Sequence, residues 1–383
     1  MYLLFVLMSY VLSSSRGSTA ITDSLEVYRR LPKLDLHAHL HGSIRRSTLV
    51  ELLRGGENMT LPSCKDNLHG CFQTFSLIHS AINSISLVKR IAREVLVDFM
   101  ADGVIYTEIR TTPRPLSDGT SKREYVETLI GIMEQHNDKF GKDMTARLII
   151  SIDRSSSVRD AEDTMEIVES LISKGENNII VGIDFSGNPY HGLFGDFVHI
   201  MERARSIGLK LTVHVAEVPE NQETPENESD ISLVLSFKPE RLGHALFLKS
   251  YHYNKLYESP IPIEIAPTSN FFSLGLESYQ THPTISTWLR TGYPFVLCTD
   301  DTGVFDSPLS KEYMLVGMSF SLSVFDLLAL ANRSIDFIFD TSFTKQLRHM
   351  FELRSQSMGM SYDDVKVSAV TVTPPIKNVG VEL

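Results

Sequence analysis

The chain has 383 residues, of which 42% are hydrophobic and 22% charged, and its formal net charge is -11. This is the composition of a folded globular protein, and an acidic surface that repels phosphate backbones excludes duplex nucleic acid as the expected partner. Three cysteines, Cys64, Cys71 and Cys298, are too few for a disulfide framework.

Met1 to Leu12 is an apolar run followed by small residues, like the core of a signal peptide, but no Lys or Arg precedes it. It is too short to span a bilayer, so no membrane partner is expected. The cytosol is the expected compartment, with secretion as the second reading. Asn58-Met-Thr, Asn227-Glu-Ser and Asn332-Arg-Ser match the glycosylation triplet, which is common by chance. Residues 1–25 are set aside as a flexible segment, 26–358 are read as one domain, and 359–383, with Pro374-Pro375, as a loose tail.

From Lys33 onward, short β-rich runs alternate with amphipathic helical runs. The first strand is the opening of LDLHAHLHG at 34–42, with apolar and polar residues at the period of a strand. A short helix is expected at 47–56 and irregular chain at 57–80. Residues 86–103 carry apolar side chains in one helical stripe closed by Gly103. Strands follow at 104–112, 146–153, 178–187 and 209–217, separated by helices at 123–141, 160–175 and 196–208. The acidic run VPENQETPENESD at 218–230 reads as a mobile loop at the site mouth, with a short helix behind it at 229–237. Strands six to eight fall at 241–246, 261–270 and 294–300, and two or three terminal helices at 308–355.

Eight strand–helix units in series, each strand nearly all apolar, argue a parallel sheet covered by helices. The fold class is therefore α/β, a (β/α)8 TIM barrel with additional helices after strand one and at the C-terminus. An open dinucleotide-binding sheet is disfavoured because no Gly-x-Gly-x-x-Gly follows any strand.

Active sites of such barrels lie at the C-terminal ends of the strands, and the polar residues of this chain collect there. His37 and His39 end strand one, and side chains at i and i+2 share a face. Arg110 to Arg114 end strand two, Asp153 strand three and Asp184 to Asn188 strand four. His214 and Glu217 end strand five, His244 strand six, Asn270 strand seven, and Asp300-Asp301 strand eight. His37, His39, His214 and Asp300 form a three-histidine, one-carboxylate set, the ligand pattern of a catalytic zinc site, one Zn²⁺ per chain. Glu217 is placed to move a proton if burial raises its pKa.

LDLHAHLHGSI, VGIDFSGN, HVAE, RLGHAL, APTSN and CTDD, in that order and spacing, resemble the adenosine deaminase family of zinc hydrolases, from about Leu31 to about residue 320. YTEIRTTPR at 106–114 is most similar to the adenosine deaminase-like branch, the N6-methyl-AMP deaminases. The resemblance implies hydrolysis of N6-methyl-AMP to IMP and methylamine, with free adenosine as the alternative substrate and a non-catalytic purine-binding protein as the remote one. It implies that His37, His39, His214 and Asp300 hold zinc, that Glu217 protonates purine N1, and that His244 and Asp300 orient the attacking water at C6. Asp301 would contact N7 and the backbone N–H of Gly187 would face N3. Arg114, with Thr111, Thr112 and Pro113 of the TTPR element, would receive a 5′-phosphate, since guanidinium binds phosphate through paired, charge-assisted bonds. His39, His41, His79 and Asp153 would line the ribose and phosphate side. His41 is a departure, standing where this branch often has Asn, and Phe72 and Phe75 are candidates to roof the purine. The expected partner is a small purine nucleotide, and the expected state a monomer.

Overall fold

The computed structural model describes residues 24–53, 68–173, 178–222 and 224–360. The expectations that concern the apolar N-terminus, Asn58, Cys64 and the tail beyond 360 lie outside the described residues, as do the side chains of Cys71 and Phe72.

Eight strands, β1 (Lys33–His39), β2 (Val104–Thr111), β3 (Thr145–Asp153), β4 (Ile180–Ser186), β5 (Lys210–Val215), β6 (Arg241–His244), β7 (Ile263–Ile265) and β8 (Phe295–Leu297), pair in chain order, and every pair is parallel. The end of β8 returns to β1. The His39 N–H donates to the Asp300 carbonyl at 2.8 Å, and the Asp300 N–H donates to the His37 carbonyl at 2.8 Å. The sheet therefore closes on itself, as the alternation of strand and helix predicts. This closure also brings the first and last polar motifs of the chain side by side.

The helices between strands form the outer layer. Ile85–Ala101 buries Val88, Ile91, Ala92, Val95, Leu96 and Phe99, the stripe legible in the sequence. Lys122–Phe140 begins with a capping box, Ser121 accepting from the Glu124 N–H while the Glu124 carboxylate accepts from Ser121. At the opposite end of the barrel from the polar motifs, the buried Lys33 ammonium donates to the carbonyls of Tyr28 (2.7 Å), Leu31 (2.9 Å) and Asp102 (2.8 Å). That ties the helix Leu25–Arg30 and the end of Ile85–Ala101 to the base of β1.

Three expectations are corrected. Part of 57–80, expected to be irregular, is the helix Leu68–Ala81. Thr74, Ile78 and Ala81, spaced four and three apart, are buried, and no charged residue marks the opposite face. The acidic run at 218–230 is a 3₁₀ turn, Pro219–Gln222, followed by the helix Pro225–Phe237. Thr224 caps that helix by accepting from the Asn227 N–H, and Pro225 occupies the first turn, where its missing N–H costs nothing. Finally, β7 stops at Ile265, and Pro267–Ser273 is a short helix. Asn270 therefore sits on a helix rather than at a strand end.

Candidate active site

The barrel interior between the strands is charged. Glu108, Arg110, Asp184, Arg241 and Glu264 are all completely buried. A buried charge is stable only when paired and hydrogen-bonded, and each of these is. Arg241 meets Glu108 at 2.7 Å and Glu264 at 2.5 Å, and its guanidinium lies 3.6 Å from the centre of the Phe339 ring. Arg110 donates to Asp184 at 3.2 Å and to Glu264 at 2.8 Å. Above this layer, at the C-terminal ends of the strands, stand the histidines.

His37 Nδ1 donates to Glu264 Oε2 at 2.7 Å, and His214 Nδ1 donates to Asp184 Oδ1 at 2.9 Å. A carboxylate only accepts, so the proton of each neutral ring is on Nδ1 and each Nε2 presents a bare lone pair. Those lone pairs converge. His39 Nε2 lies 3.3 Å from His214 Nε2, and Asp300 Oδ1 lies 3.3 Å from His37 Nε2 and 3.4 Å from His39 Nε2. Among the described residues the buried His37 Nε2 has no hydrogen-bond partner.

Ligands about 2.0–2.1 Å from a tetrahedral ion are separated by about 3.3 Å. In its chemistry and in these three distances the donor set fits a divalent cation, with carboxylates behind two of the rings to orient them. His244 stands in the same cluster. The ligand atoms of His37, His214, His244 and Asp300 all lie within 4.8 Å of one another, and His244 Nε2 is 3.9 Å from Asp300 Oδ2, against 3.3 and 3.4 Å to Asp300 Oδ1 for His37 and His39.

Backbone conformation adds to the geometry. Asp300 (φ 62°), His244 (φ 61°), Ala245 (φ 49°) and Ala216 (φ 50°) lie in the left-handed region. Non-glycine residues there are strained by about 1–3 kcal/mol each, and such strain persists where the surrounding structure over-determines it. Here it turns the ends of β5, β6 and β8 inward over the barrel mouth. Glu217 lies just past β5, with Oε1 3.9 Å from His244 Nε2. Burial pushes its carboxyl up to about 7, reinforced by the charge of Asp300.

The remaining predicted residues form two walls. On the β8 side, a Cβ at Gly42 would lie 1.6 Å from Asp301 Oδ1, so only glycine lets that carboxylate sit where it does. On the β3–β4 side, Gly187 (φ 107°) packs against Asp153, where a Cβ would lie 2.2 Å from Oδ1. Asp153 Oδ1 also accepts from the Ser155 N–H at 2.8 Å.

On the β1–β2 side, His41 Nε2 meets Tyr125 Oη at 3.0 Å, and Tyr125 Oη meets Thr111 Oγ1 at 2.6 Å. The His41 and His79 rings are 5.7 Å apart, edge to face. Pro113 is buried and Thr112 half-buried beside them. One nitrogen of Arg114, Nη2, donates to the carbonyls of His79 (2.9 Å) and Ile82 (2.7 Å), tying down the C-terminal end of Leu68–Ala81. Its buried Nε has no partner among the described residues. Phe75 packs beside Phe305 rather than standing free.

Several residues of the site carry no role in the sequence reading. Glu264 and Asp184 orient the metal-facing histidines, Arg110 joins them, Tyr125 engages His41, and Ser269 donates to Asp300 Oδ2 at 2.7 Å. A signal existed for three of them. Asp184 and Glu264 each interrupt a mostly apolar strand, in GIDFS and PIEIAP, and Arg110 is a charge on the same face as Glu108 in EIRTT, on a strand with no solvent-exposed residue. Tyr125 and Ser269 reach the site only through the packing of helices.

A protein-family model described as adenosine deaminase matches residues 32–348. The chain belongs to the adenosine deaminase family. Over 332 residues it is 35% identical to "N6-Methyl-AMP deaminase-L" of Xenopus laevis, covering 84% of this chain and 93% of that one. Over 363 residues it is 36% identical to "N6-mAMP deaminase" of Arabidopsis thaliana, covering 86% and 99%. A solved structure of an ADAL–IMP complex superposes with a TM-score of 0.78 at 36% identity, covering 87% of this chain and all of the other. The Arabidopsis ADAL complexed with GMP superposes with a TM-score of 0.76. Membership makes the chain an enzyme, a purine aminohydrolase. Among the described residues no helix is long and apolar enough to cross a membrane.

Proposed function

We propose that the protein hydrolyses the C6 amine of a purine nucleoside monophosphate, N6-methyl-AMP to IMP and methylamine, at a single zinc site in the cytosol. The observation that carries this reading is the convergence of imidazole nitrogens and one carboxylate, with contacts of 3.3–3.4 Å, beside a protonatable glutamate. Its support from similarity is that the relatives of matching length are N6-methyl-AMP deaminases.

His37, His39, His214 and Asp300 are the residues that would hold the metal. When bound, a zinc ion supplies a polarised water of pKa near 7 at the mouth of the barrel. Everything else is done by the groups of the chain. Glu217, its carboxyl pushed up to about 7 by burial, delivers its proton to N1 and so makes C6 electron-poor. Attack at C6 breaks the aromatic ring, and protonating N1 stabilises the resulting adduct. His244 donates from Nε2 toward the attacking oxygen, Asp300 takes up the proton this oxygen gives up, and that proton passes to the methylamine nitrogen as the C6–N bond breaks, while the hydroxyl proton of the adduct restores Glu217. Asp301 contacts N7 and Gly187 donates its N–H to N3, fixing the purine edge-on. His41, His79, Asp153 and the TTPR element form the ribose and phosphate wall, with the nitrogens of Arg114 other than Nη2 facing the phosphate.

The test is a deamination assay of the zinc-loaded protein on N6-methyl-AMP, AMP and adenosine at equal concentration. IMP from N6-methyl-AMP with adenosine inert supports the reading, and Arg114→Ala should then raise KM for the nucleotide at least tenfold, about the worth of one charge-assisted pair. Preferred turnover of adenosine would overturn the nucleotide assignment while leaving the metal site intact.

A further inference from the structure

Behind His244 stands a chain of hydrogen bonds that ends on groups able only to donate. The backbone N–H groups of Thr284 and Ile285 both point at His282 Nδ1, at 3.3 Å each. They are donors at the start of the helix Ile285–Thr291, where no carbonyl of the preceding turn is available to them. His282 Nδ1 must accept, so it carries no proton, and the proton of the neutral ring is on Nε2. His282 is 4% exposed, and burial holds its pKa down to about 3, so the ring is neutral.

His282 Nε2 then donates to Asn270 Oδ1 at 3.2 Å. That bond orients the amide, and Asn270 Nδ2 faces His244 Nδ1 at 3.1 Å. An amide nitrogen only donates, so His244 Nδ1 accepts. The proton of His244 is therefore on Nε2, the nitrogen that lies 3.9 Å from both Glu217 and Asp300.

We propose that His282 and Asn270 are positioning residues that fix the tautomer of His244, making its Nε2 a hydrogen-bond donor to the reacting oxygen and barring it from the metal. This rests on the reading of the site as a zinc deaminase and explains why four histidines crowded into one site divide their work. His37 and His214 have carboxylates behind Nδ1 and present bare Nε2 atoms. His244 has an amide donor behind Nδ1 and presents Nε2–H. What stands behind the ring, not how near it is to the centre, decides which role it takes.

The experiment is ¹⁵N NMR of the protein labelled in its histidine rings, metal-free and zinc-loaded, with His244→Gln used to identify the His244 signals. The expected result is a protonated Nε2 and a bare Nδ1 on His244 in both states. Asn270→Asp places a carboxylate between the two rings, so the proton should move to His244 Nδ1. With Nε2 bare, kcat should fall about 10²–10⁴-fold, while KM stays within about threefold. A wild-type His244 protonated on Nδ1 overturns the proposal, as does an Asn270→Asp protein with the wild-type tautomer and kcat. If Asn270→Asp does not fold, the wild-type spectrum alone decides. The spectrum is read without turnover, so a protein with the expected tautomer and no deaminase activity would sink the functional reading and leave the relay standing.

Discussion

Replacing Arg110 removes the one planar group that spans the two carboxylates behind the metal-facing histidines. Its Nη1 donates to Asp184 Oδ1 and its Nη2 to Glu264 Oε2, the same oxygens that accept from His214 Nδ1 and His37 Nδ1. Nη2 also donates to the Leu36 carbonyl at 2.7 Å, while the buried Nε has no partner among the described residues, so the geometry favours the bridge over full satisfaction. Arg110→Met leaves two buried carboxylates short of a counter-charge. Breaking one buried pair costs about 3–5 kcal/mol.

The two losses should not simply add, because Arg241 still holds Glu264 Oε1 and Ser151 still donates to Asp184 at 2.8 Å. The expected loss is therefore about 3–5 kcal/mol in all, against a total stability of about 5–15 kcal/mol for a folded domain. Arg110→Lys keeps the charge but not the fork, so it should be milder in stability and still poor at holding both oxygens. In zinc affinity both variants should lose about 10–100-fold, the usual effect of disturbing the groups behind metal ligands.

Urea unfolding of the metal-free protein reads the first quantity, and competition for zinc against a chromophoric chelator reads the second. A folded Arg110→Lys protein that binds zinc as tightly as the parent would refute the argument that the guanidinium organises the centre.

Glu217→Gln keeps shape and hydrogen bonding but cannot deliver a proton, so kcat should fall about 10²–10⁴-fold with nucleotide binding retained, read by stopped-flow absorbance and by product-inhibition titration. Retained turnover would exclude Glu217 as the acid. Glu312 offers a stability test away from the metal. Burial pushes its carboxyl from 4.5 up to about 7, while it accepts from the Thr268 N–H at 3.0 Å and from the Ser307 hydroxyl. The folded state binds this proton more readily than the unfolded one, so the contribution of Glu312 is most favourable below about pH 4.5 and is lost as pH rises toward 7, by roughly 3 kcal/mol. Glu312→Gln should therefore unfold at higher urea than the parent at pH 8 and at nearly the same urea at pH 5, and an equal gap at both pH values would refute this.

The architecture was legible because each unit announces itself locally. An apolar strand buried on both faces and a helix with one apolar stripe are periodic patterns, and eight in series leave little but a barrel. The family was legible for a related reason: the site residues lie in short motifs at strand ends, as in LDLHAHLHG and CTDD. Some elements were obscured by composition. The acidic run read as a loop became Pro225–Phe237 because its cap and first-turn proline outweigh its polarity. Leu68–Ala81 is set by packing, with its end held by Arg114, a residue that lies 33 positions beyond Ala81, past the end of β2.

What the chain alone determined was which chemical groups reach the mouth of the barrel. Barrel closure and the turns of the strand ends decided how they act. His37, His214, His244 and His282 are the same side chain in sequence, and nothing local distinguishes an imidazole that offers a lone pair from one that offers a proton. That distinction comes from Glu264, Asp184, Asn270 and two backbone N–H groups contributed by other elements. A tautomer is set by the group across the hydrogen bond, and only the folded chain brings that group into place.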